Sequence, residues 1–208
     1  MNLTIQGATV SFETKIALAD FPRLVNAHLR QYLDTQQLEE LGQELVMGGF
    51  SDETLEPFIR RVCDWGGYVG IAGRVFKNNV LADIRRHFEQ AITALHQDIP
   101  DLKAALQAIN TIKGLGQPSF SSKQLRFLFP DRCPILDSVT RTLGYRYTAD
   151  GYVQFATDCA TVARALETAA IPNPRNRLNN RWFVGDIDMA LFAYLNGWAI
   201  DPSRTPDA

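Results

Sequence analysis

The stretch that decides the fold runs from Ile109 to Gly144, INTIKGLGQPSFSSKQLRFLFPDRCPILDSVTRTLG. It reads as the end of one helix, a tight turn carrying Gly114-Leu115-Gly116, and a second helix from about Pro118 to Phe129 closed by Pro130. A further turn then reaches a lone carboxylate, Asp137. Two glycines one residue apart accept φ > 0 and leave no Cβ in the way of an incoming group. The N–H groups of such a turn, backed by the positive end of the next helix, suit a phosphate. Asp137 stands 21 residues beyond Gly116, so a carboxylate lies just past a backbone-gripping element. That layout suits chemistry on a nucleotide held by its phosphates. The plainer reading is a helix–turn–helix corner followed by an N-cap aspartate.

Upstream, Pro100-Asp101 opens the helix that enters the turn, through Leu102, Leu106 and Ile109. Lys77 to about His96 carries Val80, Ile84, Phe88, Ile92 and Leu95 on one face and reads as the longest amphipathic helix. Ser51 caps a helix through Phe58 and Val62 to Trp65, stopped by Gly66-Gly67. Thr35 caps another to about Met47, ended by Gly48-Gly49, and Ala19 to Tyr32 is helical. Residues 1–14 alternate weakly around Gly7, as a short hairpin or edge strand does. Downstream, Ile135 to Leu143 reads as a short helix with Asp137 in its first turn. Asp150 to Ala170 is a longer helix, 171–180 a polar loop, Arg181 to Asn196 the last helix, and the tail 201–208 frayed. The class is all-α, with at most a short N-terminal β element.

With 208 residues, 46% of them hydrophobic, the chain can build one core or two small lobes sharing a cleft. The net charge of −2 excludes a surface coated in positive charge. The balance is uneven, however. Lys103, Lys113, Lys123, Arg126, Arg132, Arg141 and Arg146 are opposed over that span only by Asp131 and Asp137. Acids gather elsewhere, as in Glu39, Glu40, Glu44, Asp52, Glu53 and Glu56. The asymmetry predicts one face turned to phosphate. Cys63, Cys133 and Cys159 form no CxxC pair, and His28, His87 and His96 no HxxxH or HExxH pattern, so the histidines are expected on helix surfaces and no metal is expected. Scattered cysteines and an N-terminus without signal-peptide regions point to a reducing cytoplasm, and no apolar run reaches the ~20 residues of a membrane span.

Ile112-Lys113-Gly114-Leu115-Gly116 and Pro134-Ile135-Leu136-Asp137 together resemble the helix-hairpin-helix DNA glycosylases, most closely the bacterial branch similar to 8-oxoguanine glycosylase. Cys63-Asp64-Trp65-Gly66-Gly67 and Asp186-Ile187-Asp188-Met189-Ala190-Leu191-Phe192 fit the same branch, so the resemblance spans about residues 55–198. It implies a single two-lobed helical domain over 1–208, with the hairpin element at about 101–130 and the catalytic aspartate element at 134–144. It also implies a monomer acting on double-stranded DNA that holds a modified base, with no cofactor. Lys113, Gly114, Gly116, Gln117 and Ser119 would contact the DNA backbone. Asp137 would stabilise positive charge on the sugar as the base leaves, and activate water. A flipped base must be sandwiched between flat side chains, for which Trp65, Phe127 and Trp182 are candidates. Asp186, preferred over Asp188, would read a base edge from the last helix. Arg74, Lys77 and Asn78 would line the DNA groove.

The sequence departs from the family at its lysine. Lyase-competent relatives carry one two residues after the second glycine, where this chain has Pro118. Lys123 lies five residues further on, ~7.5 Å along a helix and ~140° around it. The expectation is therefore water attack, with Lys123 contacting phosphate or packing against an internal carboxylate; a local insertion that re-aligns Lys123 would instead make it, beside Asp137, a second catalytic residue with lyase activity. The sequence also has no room for the large N-terminal β-rich domain of eukaryotic 8-oxoguanine glycosylases. Both departures leave the base open between an oxidised or alkylated purine, a repair substrate, and a hypermodified base of phage DNA, an antiviral one. The alternative is a non-catalytic hairpin module that binds DNA without excising anything.

Overall fold

A computed structural model describes residues 3–11 and 15–198. The tail 201–208, expected to fray, lies outside them, as does part of the N-terminal stretch. A small antiparallel sheet, β1 (Thr4–Gln6), β2 (Thr9–Ser11) and β3 (Lys15–Ala17), leads into helices α1 (Phe21–Gln31), α2 (Thr35–Gly48), α3 (Asp52–Trp65), α4 (Gly70–Asn78) and α5 (Leu81–Leu95). Then come α6 (Leu102–Asn110), α7 (Ser119–Leu128), α8 (Ala149–Thr168) and α9 (Val184–Leu195). The sheet buries Val10 and Ile16, and Leu3 N–H ties it to Asp158 of α8 at 3.1 Å.

Several boundaries differ from those the sequence predicts. The expected helix 77–96 is two, α4 and α5, because Asn79 and Val80 are extended and Asn79 is spent on the neighbouring turn. Residues 135–143 hold only a 3₁₀ turn at Thr140–Leu143, so Asp137 sits ahead of it in irregular chain. Thr35 does not cap α2 but is its first residue. Its hydroxyl donates to Tyr32 O (2.8 Å) and accepts from Trp65 Nε1 (3.1 Å). Ser51 and Asp101 do act at the starts of α3 and α6: Ser51 exchanges bonds with Thr54, and the Asp101 carboxylate accepts from Ala104 N–H at 2.9 Å.

Two helices are buried on every side. All of Phe120–Leu128 in α7 is buried, and so are Val184–Leu191 of α9. Hydrophobicity all round marks a core helix, yet α7 brings Lys123, Gln124 and Arg126 into the interior. α2 can lie directly on α7 because Gly42 has no Cβ: one placed there would collide with the Phe127 carbonyl. That contact sets Glu39, one turn earlier on α2, against Arg126. Glu39 also receives Arg175 (2.9 Å) and Arg177 (3.1 Å) from the loop before α9. Burial alone would raise the Glu39 carboxyl; the three guanidiniums overrule it and hold it at about 2. Arg177 in turn grips Asp186 of α9 at 2.6 Å.

Removing Glu39 leaves three cations facing one another in the interior. Glu39→Gln is expected to cost about 3–5 kcal/mol in urea unfolding at pH 7. Because the folded carboxyl is depressed, its stabilisation is full above the unfolded value of 4.5 and lost as pH falls through about 2. The gap between wild type and variant should therefore shrink between pH 5 and pH 2; a gap constant over that range would contradict the assignment.

Candidate active site

α7, the 134–139 segment, α1 and α9 enclose a cavity of about 180 Å³. An apolar cavity of ~150 Å³ holds a benzene ring, so the scale here is one heterocycle. Its walls are aromatic. His28 stacks on Tyr32 at 4.8 Å, Tyr32 meets Trp65 at 4.6 Å, and Phe192 stands edge-on to His28 at 5.8 Å. Burial, aided by Arg126 and Arg175, lowers His28 to about 3, so its ring is neutral.

Lys123 and Asp137 meet in this cavity. Lys123 Nζ lies 3.5 Å from Asp137 Oδ2, with both side chains nearly inaccessible. The lysine donates to Ser119 Oγ (3.0 Å), one helical turn before it, and sits 4.8 Å from the Phe120 ring centroid. Burial lowers its pKa against the opposing pull of Asp137 and Asp188. Asp137 is held by its own turn: Oδ1 accepts from Val139 N–H (2.9 Å) and Thr140 N–H (3.0 Å), which leaves Oδ2 to Lys123. Leu136 N–H donates to Ser122 Oγ (3.1 Å), fastening this segment to α7. An amine with a depressed pKa beside a fixed carboxylate can attack a carbon bearing positive charge, and the carboxylate can take the proton released.

Asp188 of α9 also lines the cavity. Its carboxyl accepts from Ile135 N–H, and burial, reinforced by Asp137 and opposed by Arg126, raises it to about 8. The sequence preference for Asp186 is thus reversed. Asp186 lies outside the cavity, tied to Arg177, to Asn173 Nδ2 (2.8 Å) and to Phe183 N–H (3.0 Å). Trp182 is likewise elsewhere: its Nε1 donates to Ile171 O (2.9 Å) and its ring stands edge-on to Phe21, so it locks the loop and not the pocket. Phe127 is a second layer, edge-on behind Trp65 at 4.9 Å. Trp65 does line the cavity. Two pairs line the cavity that the sequence reading did not put there: His28 on α1, expected on a helix surface but buried, with Tyr32 just past the helix end, and Asp188, ranked behind Asp186, with Phe192 on α9. Each pair is spaced i, i+4, the one signal in the sequence that could have placed them on a common face.

Beside the cavity, the turn between α6 and α7 has Gly114 at φ 86° and Gly116 at φ 90°. The backbone N–H groups of Gly114, Gly116 and Gln117 have no protein acceptor among the described residues, and all three residues are exposed. Asn79 holds the turn, accepting from Lys113 N–H (3.1 Å) and donating to Lys113 O (2.9 Å), so only the Lys113 side chain is free to reach outward. A Cβ on Gly114 would approach Arg74 to 3.2 Å, which sets α4 against the turn. The Gln117 side chain folds back on Asn110 O, and Ser119 is turned to Lys123 and not outward. The basic run is not one surface either. Lys123 and Arg126 are buried, Lys103 pairs with Asp150 and Arg132 with Asp131. Arg74, Lys77 and Lys113 are the exposed cations on α4 and the turn.

Among the described residues, no group of three or more His, Cys, Asp or Glu could hold a metal ion, and no helix is long and apolar enough to cross a membrane. No family model, curated protein or solved structure matches the chain.

The folded Asp188 carboxyl binds its proton far more tightly than the unfolded one, whose value is 3.8. Between 3.8 and about 8 the folded state therefore carries the extra proton, and stability falls as pH rises through that window. Asp188→Asn abolishes this component. Wild type should lose more Tm between pH 5 and pH 9 than the variant does; parallel Tm profiles would show that Asp188 is not held protonated.

Proposed function

We propose that the chain is a helix-hairpin-helix DNA glycosylase that excises one modified base, with Lys123 as the attacking amine. The observation that carries this reading is the buried Lys123–Asp137 pair inside an aromatic-walled cavity the size of one heterocycle. The free N–H groups of Gly114, Gly116 and Gln117 would hold a phosphate beside it. Arg74, Lys77 and Lys113 would add charge to the same contact.

The flipped base lies between the rings of Tyr32, Trp65 and Phe192. As the glycosidic C1′–N bond breaks, its electron pair leaves with the base, which takes up a proton from solvent. Asp137 Oδ2 faces the positive charge that grows on the sugar. The unprotonated Lys123 amine adds at C1′ and gives its proton to Asp137. Opening of the sugar ring then yields an imine between Nζ and C1′, which water later hydrolyses. The sequence argument for water as the attacking group rested on the offset of Lys123 from Pro118. The 3.5 Å pairing sets the amine beside the carboxylate that could take its proton, which supports attack by Lys123.

Duplexes bearing 8-oxoguanine, alkylated purines, uracil or glucosylated cytosine provide the test. Wild type should release one of these bases and be trapped on DNA by borohydride. Asp137→Asn should slow release by about 10²–10⁴-fold. Lys123→Gln should abolish the trapped adduct. Trapping should strengthen with rising pH, with a midpoint below the ordinary lysine value of 10.5. Release without trapping, followed by strand scission only in alkali, would replace the amine by water. Release of no base, with salt-sensitive duplex binding intact, would leave a binding module. The base released separates repair from defence.

A further inference from the structure

Seven large hydrophobic side chains stand exposed among the described residues, and of these only Tyr68 also lines the cavity. It is 66% exposed, followed by Val69 at 80%. A lone exposed hydrophobic residue needs no explanation, but this one stands at the mouth of the site. The turn that carries it, between α3 and α4, is pressed onto the catalytic side chains. A Cβ on Gly66 would come within 2.7 Å of the Phe120 ring and 3.1 Å of Lys123 Cδ, so only glycine permits this approach. Gly67 follows at φ 81°, which turns the chain outward. The Tyr68 ring then meets Phe120 edge-on, with centroids 5.8 Å apart. Phe120 also touches the other element, since a Cβ on Gly116 would lie 3.7 Å from its ring. Tyr68 therefore stands between the cavity and the phosphate-binding turn, in contact with Phe120 and largely open to solvent.

We propose that Tyr68, with Val69 beside it, is the wedge that enters the duplex and fills the space left by the flipped nucleotide. The inference rests on the glycosylase reading. Extruding a nucleotide leaves a gap flanked by two unstacked base faces, and an inserted apolar side chain restores part of that contact. A flat ring at the pocket mouth can stack on a base with either face and loses little rotamer freedom in doing so. Its neighbours Arg74 and Lys77 on α4, and Lys113 on the turn, carry the charge that would draw phosphates to this side.

The test uses two duplexes of one sequence, one intact and one with a tetrahydrofuran abasic analogue at the target position. The second has a gap but no base to enter the cavity. Fluorescence anisotropy should show that wild type prefers the abasic duplex. Tyr68→Ala should weaken that complex by about fivefold or more, within the range of base–aromatic stacking. Binding to the intact duplex should change little, and Tyr68→Phe should retain the preference. Equal affinity of Tyr68→Ala and wild type for the abasic duplex would overturn the wedge while leaving the glycosylase standing. If Tyr68→Ala impairs only duplexes that carry the base, the ring is a pocket wall and the wedge is overturned. Wild type that binds both duplexes alike would overturn the glycosylase reading, and the wedge with it.

Discussion

The structure depends on one constraint: α7 is buried on every side while carrying two cations, Lys123 and Arg126, into the interior. An unpaired charge there is prohibitive, so each must be met by a carboxylate from another element. Arg126 takes Glu39 from α2, and Lys123 takes Asp137 from the chain that follows α7. These two pairings fix where α2 and the 134–139 segment lie. Glu39 then gathers Arg175 and Arg177, and Arg177 reaches Asp186, so the loop before α9 and the start of α9 are set by the same network.

The two cations are not compensated equally, and the difference separates framework from chemistry. Glu39 is pulled down to about 2 by three guanidiniums and stays ionised. Lys123 has a single carboxylate at 3.5 Å and one hydroxyl, Ser119, and burial prevails over their help. An arginine could not serve in its place, since a guanidinium keeps its proton under any such environment, whereas an amine can give it up. Asp188 shows the converse. Burial raises it to about 8, so Lys123 shares the cavity with a carboxyl that keeps its proton at neutral pH. Ionisation of Asp188 would add a negative charge beside the amine and oppose the effect of burial on it.

Helical segments were legible where a periodic apolar face ended at a turn residue, as from Ser51 to Gly66 or from Asp101 into the Gly114–Gly116 turn. The short sheet was visible only as a weak alternation, because three strands of three residues carry little pattern. The break at Asn79 was hidden, since its cause is tertiary: the side chain caps Val75 O of α4 and at the same time holds Lys113 of the neighbouring turn. For the site, Asp137, Trp65 and the hairpin glycines were readable from local motifs. Lys123 was readable as a lysine packed against an internal carboxylate, and Asp137 is that carboxylate. From Ser119, four residues place Lys123 directly over Ser119 and toward Asp137. Asp186 and Asp188 are two residues apart on a helix buried all round, so no amphipathic face tells which one meets the cavity.

The same burial bears on how a chain of net charge −2 would hold DNA. Much of its apparent basic run is internal or paired: Lys123 and Arg126 serve the core, and Lys103 and Arg132 have surface acids. On the glycosylase reading, Arg74, Lys77 and Lys113 remain to displace counterions, so the affinity would fall with salt less steeply than for a protein coated in positive charge. More of the grip would fall to three backbone N–H groups at Gly114, Gly116 and Gln117, and to aromatic stacking inside and at the mouth of the cavity. Backbone donors and stacking need the nucleotide already displaced before they act in full. On that reading, such a protein would hold a distorted site far better than smooth duplex, and its selectivity would come from the bases it can extrude.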